Sequence, residues 1–174
     1  LVLGESGSID LGDGRSLDAF HNPGHASHHL GLIDSHSGDL YTGDAAGTYV
    51  PQTADVRPAT PPPDFDLDLA LTSLTRMRAA GASRLLFSHF GPVTDVDATL
   101  ERSTEELRSW VASIDTLHAR GIEVDHAVAM VRDRDKQARP DFYADQDLVA
   151  KFEELSSVQA NVEGVYRWLD KHRE

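Results

Sequence analysis

Residues 21–29 read HNPGHASHH, and four histidines within these nine positions set the stretch apart from the rest of the chain. It follows residues 15–20, whose composition predicts a β-strand. Neutral imidazole is a good ligand for zinc or iron, and Gly24 beside His25 lets the backbone turn sharply. A single histidine here would more often be a surface or hydrogen-bonded residue. The cluster instead indicates one part of a metal site.

Two later segments also end in residues that bind metals. YTGD occupies residues 41–44 at the end of a predicted hairpin, and SHFGP occupies residues 88–92 at the end of a predicted strand. Strand ends in an α/β architecture open onto one rim, so residues placed there can converge. A carboxylate such as Asp44 can bridge two ions. Each segment alone is more often an ordinary turn, but the three in this order favour a site.

The first third of the chain predicts antiparallel strands at residues 8–11, 15–20, 30–34 and 40–42, with turn residues at 12–14 and 37–39. A helix is predicted over 66–80, because its apolar residues recur at three and four and Gly81 stops it. A buried strand at 84–88 then completes an α/β layer.

Residues 47–64 are rich in proline and predict a stiff loop that holds one wall of the site. A polyproline ligand for a partner domain is the alternative. After Thr94 the pattern becomes helical, with helices predicted over 95–121 and 124–134. An apolar stripe continues from Leu148 to Leu169.

Composition limits the classes of function. The chain has 174 residues and no Cys, which excludes disulfides and Cys-ligated zinc. A net charge of −13 argues against a nucleic-acid partner, and no apolar run is long enough to span a membrane. We expect a cytoplasmic protein. Its Lys-poor acidic composition fits either a high-salt cytoplasm or an ordinary acidic enzyme from a GC-rich genome.

The three segments together resemble the later motifs of a known superfamily. Pro23-Gly24-His25 with His29, then Thr42-Gly43-Asp44, then Ser88-His89-Phe90-Gly91 are similar to those of the metallo-β-lactamase superfamily. The branch they resemble most includes glyoxalase II and related lactone and ester hydrolases. The resemblance implies an α/β fold in which residues 1–94 form half of an αββα sandwich and residues 95–174 form a helical extension.

The resemblance also implies roles for individual residues. His25 would bind the first metal, His89 the second, and Asp44 would bridge both. His29 would orient the loop, and His28, which stands where glycine is usual, is a candidate substrate contact. The implied cofactors are two divalent ions, with zinc as the first expectation and iron or manganese as alternatives.

The implied activity is hydrolysis of small ester, thioester or lactone substrates by a metal-bound hydroxide. Tyr41, Tyr49 and Arg57 are further candidates for substrate binding. Arg57 would pair with a substrate carboxylate or be a solvated loop charge. The alternatives are a mononuclear iron dioxygenase acting on persulfides and a non-catalytic acidic interaction module. The helical extension would form a homodimer contact or lie on its own domain.

One motif of the superfamily is missing from these residues. H-x-H-x-D-H, which supplies the remaining metal ligands in that family, does not occur in residues 1–174. It normally lies upstream. We therefore expect that this sequence holds the carboxy-terminal half of the fold and that the stretch alone is inactive.

Overall fold

The computed structural model describes residues 6–89 and 91–173. Its strands are β1 (Ser6–Gly12), β2 (Arg15–His21), β3 (Leu30–Asp34), β4 (Asp39–Gly43), β5 (Thr48–Val50), β6 (Asp55–Arg57), β7 (Arg84–Phe87) and β8 (Pro92–Val93). Six of them form one sheet in the order β1-β2-β3-β4-β7-β8, and β5 pairs with β6 separately.

The first four strands pair antiparallel, as the sequence predicted, and successive strands are joined by short connections. Asp13 and its two flanking glycines all have positive φ, which is the turn chemistry that closes the β1–β2 hairpin. β4 pairs parallel with β7, since the chain returns through a helix between them. β2, β4 and β7 therefore run in the same direction and end at the same edge of the sheet.

The helices are α1 (Leu67–Ala79), α2 (Val96–Ala119), α3 (Val124–Ala138), α4 (Pro140–Ala144), α5 (Gln146–Leu155) and α6 (Val158–Arg173). The Asp66 side chain caps α1 by accepting a hydrogen bond from Leu69 N–H at 2.9 Å. Asp95 caps α2 in the same way through Ala98 N–H. The predicted α/β layer and the helical part that follows it are confirmed.

Two predictions at the level of elements need correction. The proline-rich segment 47–64 is not entirely loop, because β5 and β6 form a hairpin within it and bury Val50 and Val56. The terminal stripe is not one continuous helix either. It is divided between α5 and α6, and the Ser157 hydroxyl accepts the Ala160 N–H at the start of α6.

One hydrophobic core joins the sheet to the helices. It includes Leu40 and Leu85 of the sheet together with Leu74 of α1, Ile114 of α2 and Val165 of α6, all at most 2% exposed. A smaller cluster packs β5 against α4 and α5. The division at residues 94/95 into two domains stays a prediction. No helix among the described residues has the length and apolarity needed to cross a membrane.

Candidate metal centre

Three side chains predicted to bind metal lie together at one edge of the sheet. His25 follows β2, Asp44 follows β4 and His89 follows β7, and these three strands run in the same direction. All three side chains are partly exposed, between 18% and 32%. They are thus neither buried in the core nor turned fully into solvent.

The Asp44 carboxylate lies between the two imidazoles. Its Oδ2 is 3.9 Å from His25 Nε2, and its Oδ1 is 3.7 Å from His89 Nε2. Two ligands that each lie about 2.1 Å from one tetrahedral zinc ion are separated by about 3.4 Å. The spacing is therefore close to that of ligand atoms which share an ion, with a different carboxylate oxygen facing each histidine.

The His25 ring is oriented by a backbone carbonyl. Its Nδ1 is 3.1 Å from the carbonyl oxygen of Ala59. Because a carbonyl only accepts hydrogen bonds, Nδ1 carries the proton and donates it. In a neutral ring this tautomer leaves a lone pair on Nε2, which faces Asp44. Histidines that bind metals are commonly held in this way by their second nitrogen.

His29 orients the loop that carries Asp44. Its Nε2 accepts the Asp44 N–H at 3.1 Å, which requires that this nitrogen be unprotonated. Burial, followed by the neighbouring His25, lowers the pKa of His29 and so favours the neutral ring. This contact agrees with the loop-orienting position that the resemblance implies.

Gly43 is required where His29 meets this loop. Its φ is +55°, and a Cβ built at this position would lie 2.0 Å from His29 Nε2. A side chain there would displace the imidazole. The glycine of the Thr42-Gly43-Asp44 motif thus has a steric explanation.

The loop that carries His25 packs against the start of α1. Gly24 has a φ of +126°, and a Cβ there would lie 2.3 Å from Ala70 N. Its carbonyl accepts the Asp66 N–H at 2.9 Å, and the Ser73 hydroxyl donates to Pro23 O at 2.6 Å. The start of α1 therefore packs directly on the loop that carries His25.

Helical residues support the segment after β6, which contacts His25 through Ala59 O. Thr60 N–H donates to Asn161 Oδ1 at 2.5 Å, and the Thr60 hydroxyl donates to Asn161 O at 2.8 Å. The indole of Trp110 donates to the same hydroxyl at 3.1 Å. Thr60 follows Ala59, whose carbonyl holds His25. Asn161 was not predicted as a site residue, although a polar residue among Val158, Val162 and Val165 on the buried face of a helix was an available signal.

A cavity of about 170 Å³ opens beside the three side chains. His25, Asp44 and His89 line one wall, and the junction of α5 and α6, residues 153–157, lines another. That second wall was not predicted, because no break between the two helices was expected from the sequence.

The four candidate substrate contacts are not among the described residues that line this cavity. Tyr41 is 40% exposed on β4, and the Tyr49 ring stacks on Phe87 at 5.7 Å. His28 is exposed. The structure does not bring these residues to Asp44, and their contact with substrate stays a prediction.

Arg57 is not the solvated loop charge that one of the alternatives predicted. It is 6% exposed, and its guanidinium forms a hydrogen-bonded ion pair with Asp135 of α3. A substrate carboxylate was the partner expected for Arg57. On one side of the guanidinium, Asp135 is that partner instead.

No group of three or more His, Asp or Glu side chains arranged for a single ion occurs within residues 6–89 and 91–173. The site instead consists of two pairs that share Asp44, one with His25 and one with His89. Each pair could supply two ligands to one ion, so the two pairs could serve two ions.

The family of the chain follows from comparison with known proteins. Residues 2–89 match the metallo-beta-lactamase superfamily, and the chain belongs to that superfamily. Membership gives it the fold of metal-dependent hydrolases, whose members bind divalent metals. No curated protein matches the chain.

Solved structures show the same fold. An archaeal metallo-beta-lactamase superfamily protein from Sulfolobus tokodaii is 29% identical with a TM-score of 0.50, over 63% of this chain and 38% of its own. A family protein from Thermus thermophilus is 21% identical with a TM-score of 0.58, over 99% and 50%. A double mutant of a sec-alkyl sulfatase is 12% identical with a TM-score of 0.58, over 95% and 26%. The chain thus spans half or less of the length of these proteins.

Proposed function

We propose that the protein to which this chain belongs is a binuclear metallohydrolase of small ester, thioester or lactone substrates. Superfamily membership supports the general class of metal-dependent hydrolase. The choice of substrate class rests on the resemblance of the histidine, Thr-Gly-Asp and Ser-His motifs to the glyoxalase II branch.

The observation that carries the proposal is the position of the Asp44 carboxylate. Its two oxygens face two different imidazoles, 3.9 Å from His25 Nε2 and 3.7 Å from His89 Nε2. A carboxylate that served only as a hydrogen-bond acceptor for one histidine would not need this arrangement. A carboxylate shared by two cations would.

The donor set fits divalent metal. Imidazole nitrogen and carboxylate oxygen suit zinc, which is our first expectation, and they also suit iron and manganese. Two bound divalent ions would lower the pKa of water and polarise a carbonyl group, which is the chemistry that ester hydrolysis needs. Asp44 and His25 would hold one ion, and Asp44 and His89 the other.

The chain's own residues keep this donor set in place. Ala59 O fixes the His25 ring through Nδ1, and His29 Nε2 fixes the backbone of Asp44. Orienting partners of this kind affect metal affinity by about 10- to 100-fold when they are removed. These two contacts thus orient the His25 ring and the backbone of Asp44.

A substrate acyl group would lie in the cavity beside Asp44, which has a volume of about 170 Å³ among the described residues. Ser156 and Ser157 also line this cavity. Their hydroxyls are candidates for hydrogen bonds to the acyl group of a substrate.

The test uses the full-length protein and a panel of an aryl ester, an acyl thioester and a lactone. Removal of metal with a chelator should abolish hydrolysis, and zinc should restore it. Asp44→Asn should reduce turnover on the order of 100-fold or more and reduce the zinc bound per protein. Asp133→Asn, an exposed carboxylate on α3, is the matched control and should leave both unchanged.

Two results would contradict the proposal. Hydrolysis that survives both chelation and Asp44→Asn would show that these ligands do not carry the activity. A single iron per protein, with oxygen consumed on addition of a persulfide, would favour the dioxygenase instead.

A further inference from the structure

A second cavity, of about 240 Å³, lies among β6, α2, α3 and the junction of α5 and α6. Its charged lining residues are Arg57, Arg134, Arg139, Glu106 and Asp135. It shares Ser156 and Asn161 with the cavity beside Asp44, so the two cavities have a common wall. Nothing in the proposed hydrolase chemistry uses it.

The Arg57 guanidinium is held rigidly in the wall of this cavity. It lies against an edge-to-face pair of phenyl rings, 4.6 Å from the centre of Phe142 and 4.7 Å from the centre of Phe152. Its Nη2 donates to Asp135 Oδ2. Packing and ion pairing thus fix both the plane and the direction of a charged group whose side chain is only 7% exposed.

One nitrogen of this guanidinium has no partner. Arg57 Nη1 is buried and makes no hydrogen bond to any described residue. A buried donor without an acceptor costs about 1–3 kcal/mol, and more when it is charged. The fold therefore retains an unsatisfied cationic donor in a residue that lines a cavity.

The neighbouring Asp135 does not accept a hydrogen bond from Nη1. Its carboxylate already accepts from Arg57 Nη2, from Arg139 Nη1 at 2.6 Å and from the Tyr143 hydroxyl at 2.7 Å. Arg139 also donates to Glu106, which lines the cavity, at 2.8 Å. It donates to Asp55, which does not line the cavity, at 2.5 Å. No described residue supplies an acceptor for Arg57 Nη1.

We propose that this cavity binds a small monocarboxylate through the free edge of the Arg57 guanidinium. The cavity is lined by three guanidinium groups and two carboxylates, and a third carboxylate, Asp55, pairs with Arg139 from outside the lining. Trp110, Val131 and Phe152 supply an apolar surface for the body of the ligand. This inference does not depend on the proposed hydrolase activity.

The carboxylate that binds Arg57 could come from either of two molecules, because the two cavities share a wall. It is either the distal carboxylate of a substrate whose acyl group lies beside Asp44, or a separate small molecule that binds only at Arg57. Ser156 and Asn161 would contact the ligand in both cases or transmit its presence to the first cavity.

The binding test measures the melting temperature of the full-length protein with butyrate and benzoate. Their neutral amides, butyramide and benzamide, and inorganic phosphate serve as comparison ligands. A carboxylate at about ten times its Kd should raise the Tm by about 3–6 °C in a saturable way. The amides and phosphate should have at least tenfold weaker effects.

Two variants locate the site. Arg57→Lys keeps the positive charge beside Asp135 but removes the free guanidinium nitrogen, and it should weaken carboxylate binding at least tenfold. Ser109→Phe should block the cavity without altering the Arg57–Asp135 pair. Thr116→Phe, exposed on the same helix but outside the cavity, is its control and should bind normally.

Saturable carboxylate binding that is lost in both cavity variants supports the proposal. Absence of saturable binding to the unaltered protein, equal binding of the amides, or retained binding in Ser109→Phe each overturns it. The outcome is independent of hydrolysis, because no substrate is turned over.

Kinetics then separate the two sources, with a monoaryl succinate and the matching aryl acetate as ester probes. If the carboxylate belongs to the substrate, Arg57→Lys should raise KM at least fivefold for the succinate ester only. If it belongs to a separate ligand, butyrate should change kcat for the acetate ester without competing with it. Both results support a carboxylate site at Arg57.

Discussion

Gly43 and His29 show how single residues determine the geometry at Asp44. The Asp44 N–H donates to His29 Nε2, and this contact is available only because position 43 has no side chain. The motif Thr42-Gly43-Asp44 is therefore a packing requirement as well as a source of a carboxylate.

Gly43→Ala should strain the backbone and, in addition, displace the His29 imidazole from Asp44. Positive φ alone costs an alanine about 1–2 kcal/mol, and the Cβ would in addition lie 2.0 Å from His29 Nε2. We expect the variant to bind metal less tightly. Its unfolding free energy should fall by more than the backbone cost alone. Denaturant unfolding and metal titration of the full-length protein measure the two effects.

Gly12→Ala is the matched control, because Gly12 also has a positive φ, +84°, but has nothing within 4 Å of its built Cβ. It should show the backbone cost and unchanged metal affinity. If both variants bind metal equally well, His29 does not position Asp44.

Asp34 should dominate the acid sensitivity of the β2–β3 pair. Hydrogen bonds from Arg15 lower the pKa of Asp34 to about 2. A carboxyl whose pKa is lower in the folded than in the unfolded state stabilises the fold above its unfolded pKa, near 3.8. That stabilisation is lost as the pH falls from about 4 through 2.

Asp34→Asn should therefore flatten the decline in stability between about pH 4 and pH 2, as followed by the Tm in acid buffers. Asp18→Asn, an exposed carboxylate near Ser16 rather than an arginine, should leave the decline intact. An unchanged slope in Asp34→Asn would show that the Arg15 contact does not control acid stability.

The surroundings of a side chain could be predicted from the sequence only where they follow from the direction of the strands. The convergence of His25, Asp44 and His89 was predicted, because each follows a strand and such ends share an edge. The environment of Arg57 was not, since Asp135 lies 78 positions away and no local pattern links them.

At the scale of elements, α6 holds the loop that positions His25. Asn161 bonds to Thr60 through its side chain and its carbonyl, and Thr60 adjoins the Ala59 carbonyl that orients the imidazole. A helix near the end of the chain thus supports a ligand near its beginning.

Asn161→Ala should lower the unfolding free energy by about 1–3 kcal/mol, since Thr60 N–H would be left buried without an acceptor. It should also weaken metal binding, because the carbonyl at residue 59 would lose its support. Gln159→Ala is the control on the same helix, where the side chain is exposed and bonds only to Glu163. Equal metal affinity in Asn161→Ala and the control would show that α6 does not act on the site.

Periodicity predicted the long elements and failed for the short ones. α1 and α2 lie within one or two residues of their predicted bounds, because their apolar spacing and their caps agree. β5 and β6 have only three residues each, which is too short for an alternating pattern to emerge between prolines. α4, five residues that begin at Pro140, was missed for the same reason.

At the scale of the whole molecule, the sheet and the helices share one core. Leu40 and Leu85 of the sheet belong to the same buried cluster as Ile114 of α2 and Val165 of α6. Residues after 94 therefore complete the packing of the sheet rather than merely following it.

Truncation of the full-length protein after Thr94 should abolish cooperative folding. The sheet would lose the apolar surface that α2 and α6 provide, and the exposed core should bind a hydrophobic dye and aggregate. Circular dichroism with thermal unfolding, compared with the untruncated protein, measures this. A truncated protein that melts cooperatively near the Tm of the parent would establish residues 95–174 as an independent unit.

The central claim is that Asp44 is shared by two metal ions, one with His25 and one with His89. The most direct measurement is a crystal structure of the zinc-loaded full-length protein, with anomalous scattering recorded at the zinc edge. We predict two zinc peaks about 3.5–4 Å apart, one bound by His25 Nε2 and the other by His89 Nε2, with one Asp44 oxygen on each. Zinc bound elsewhere, or a single peak that Asp44 does not contact, would contradict the account.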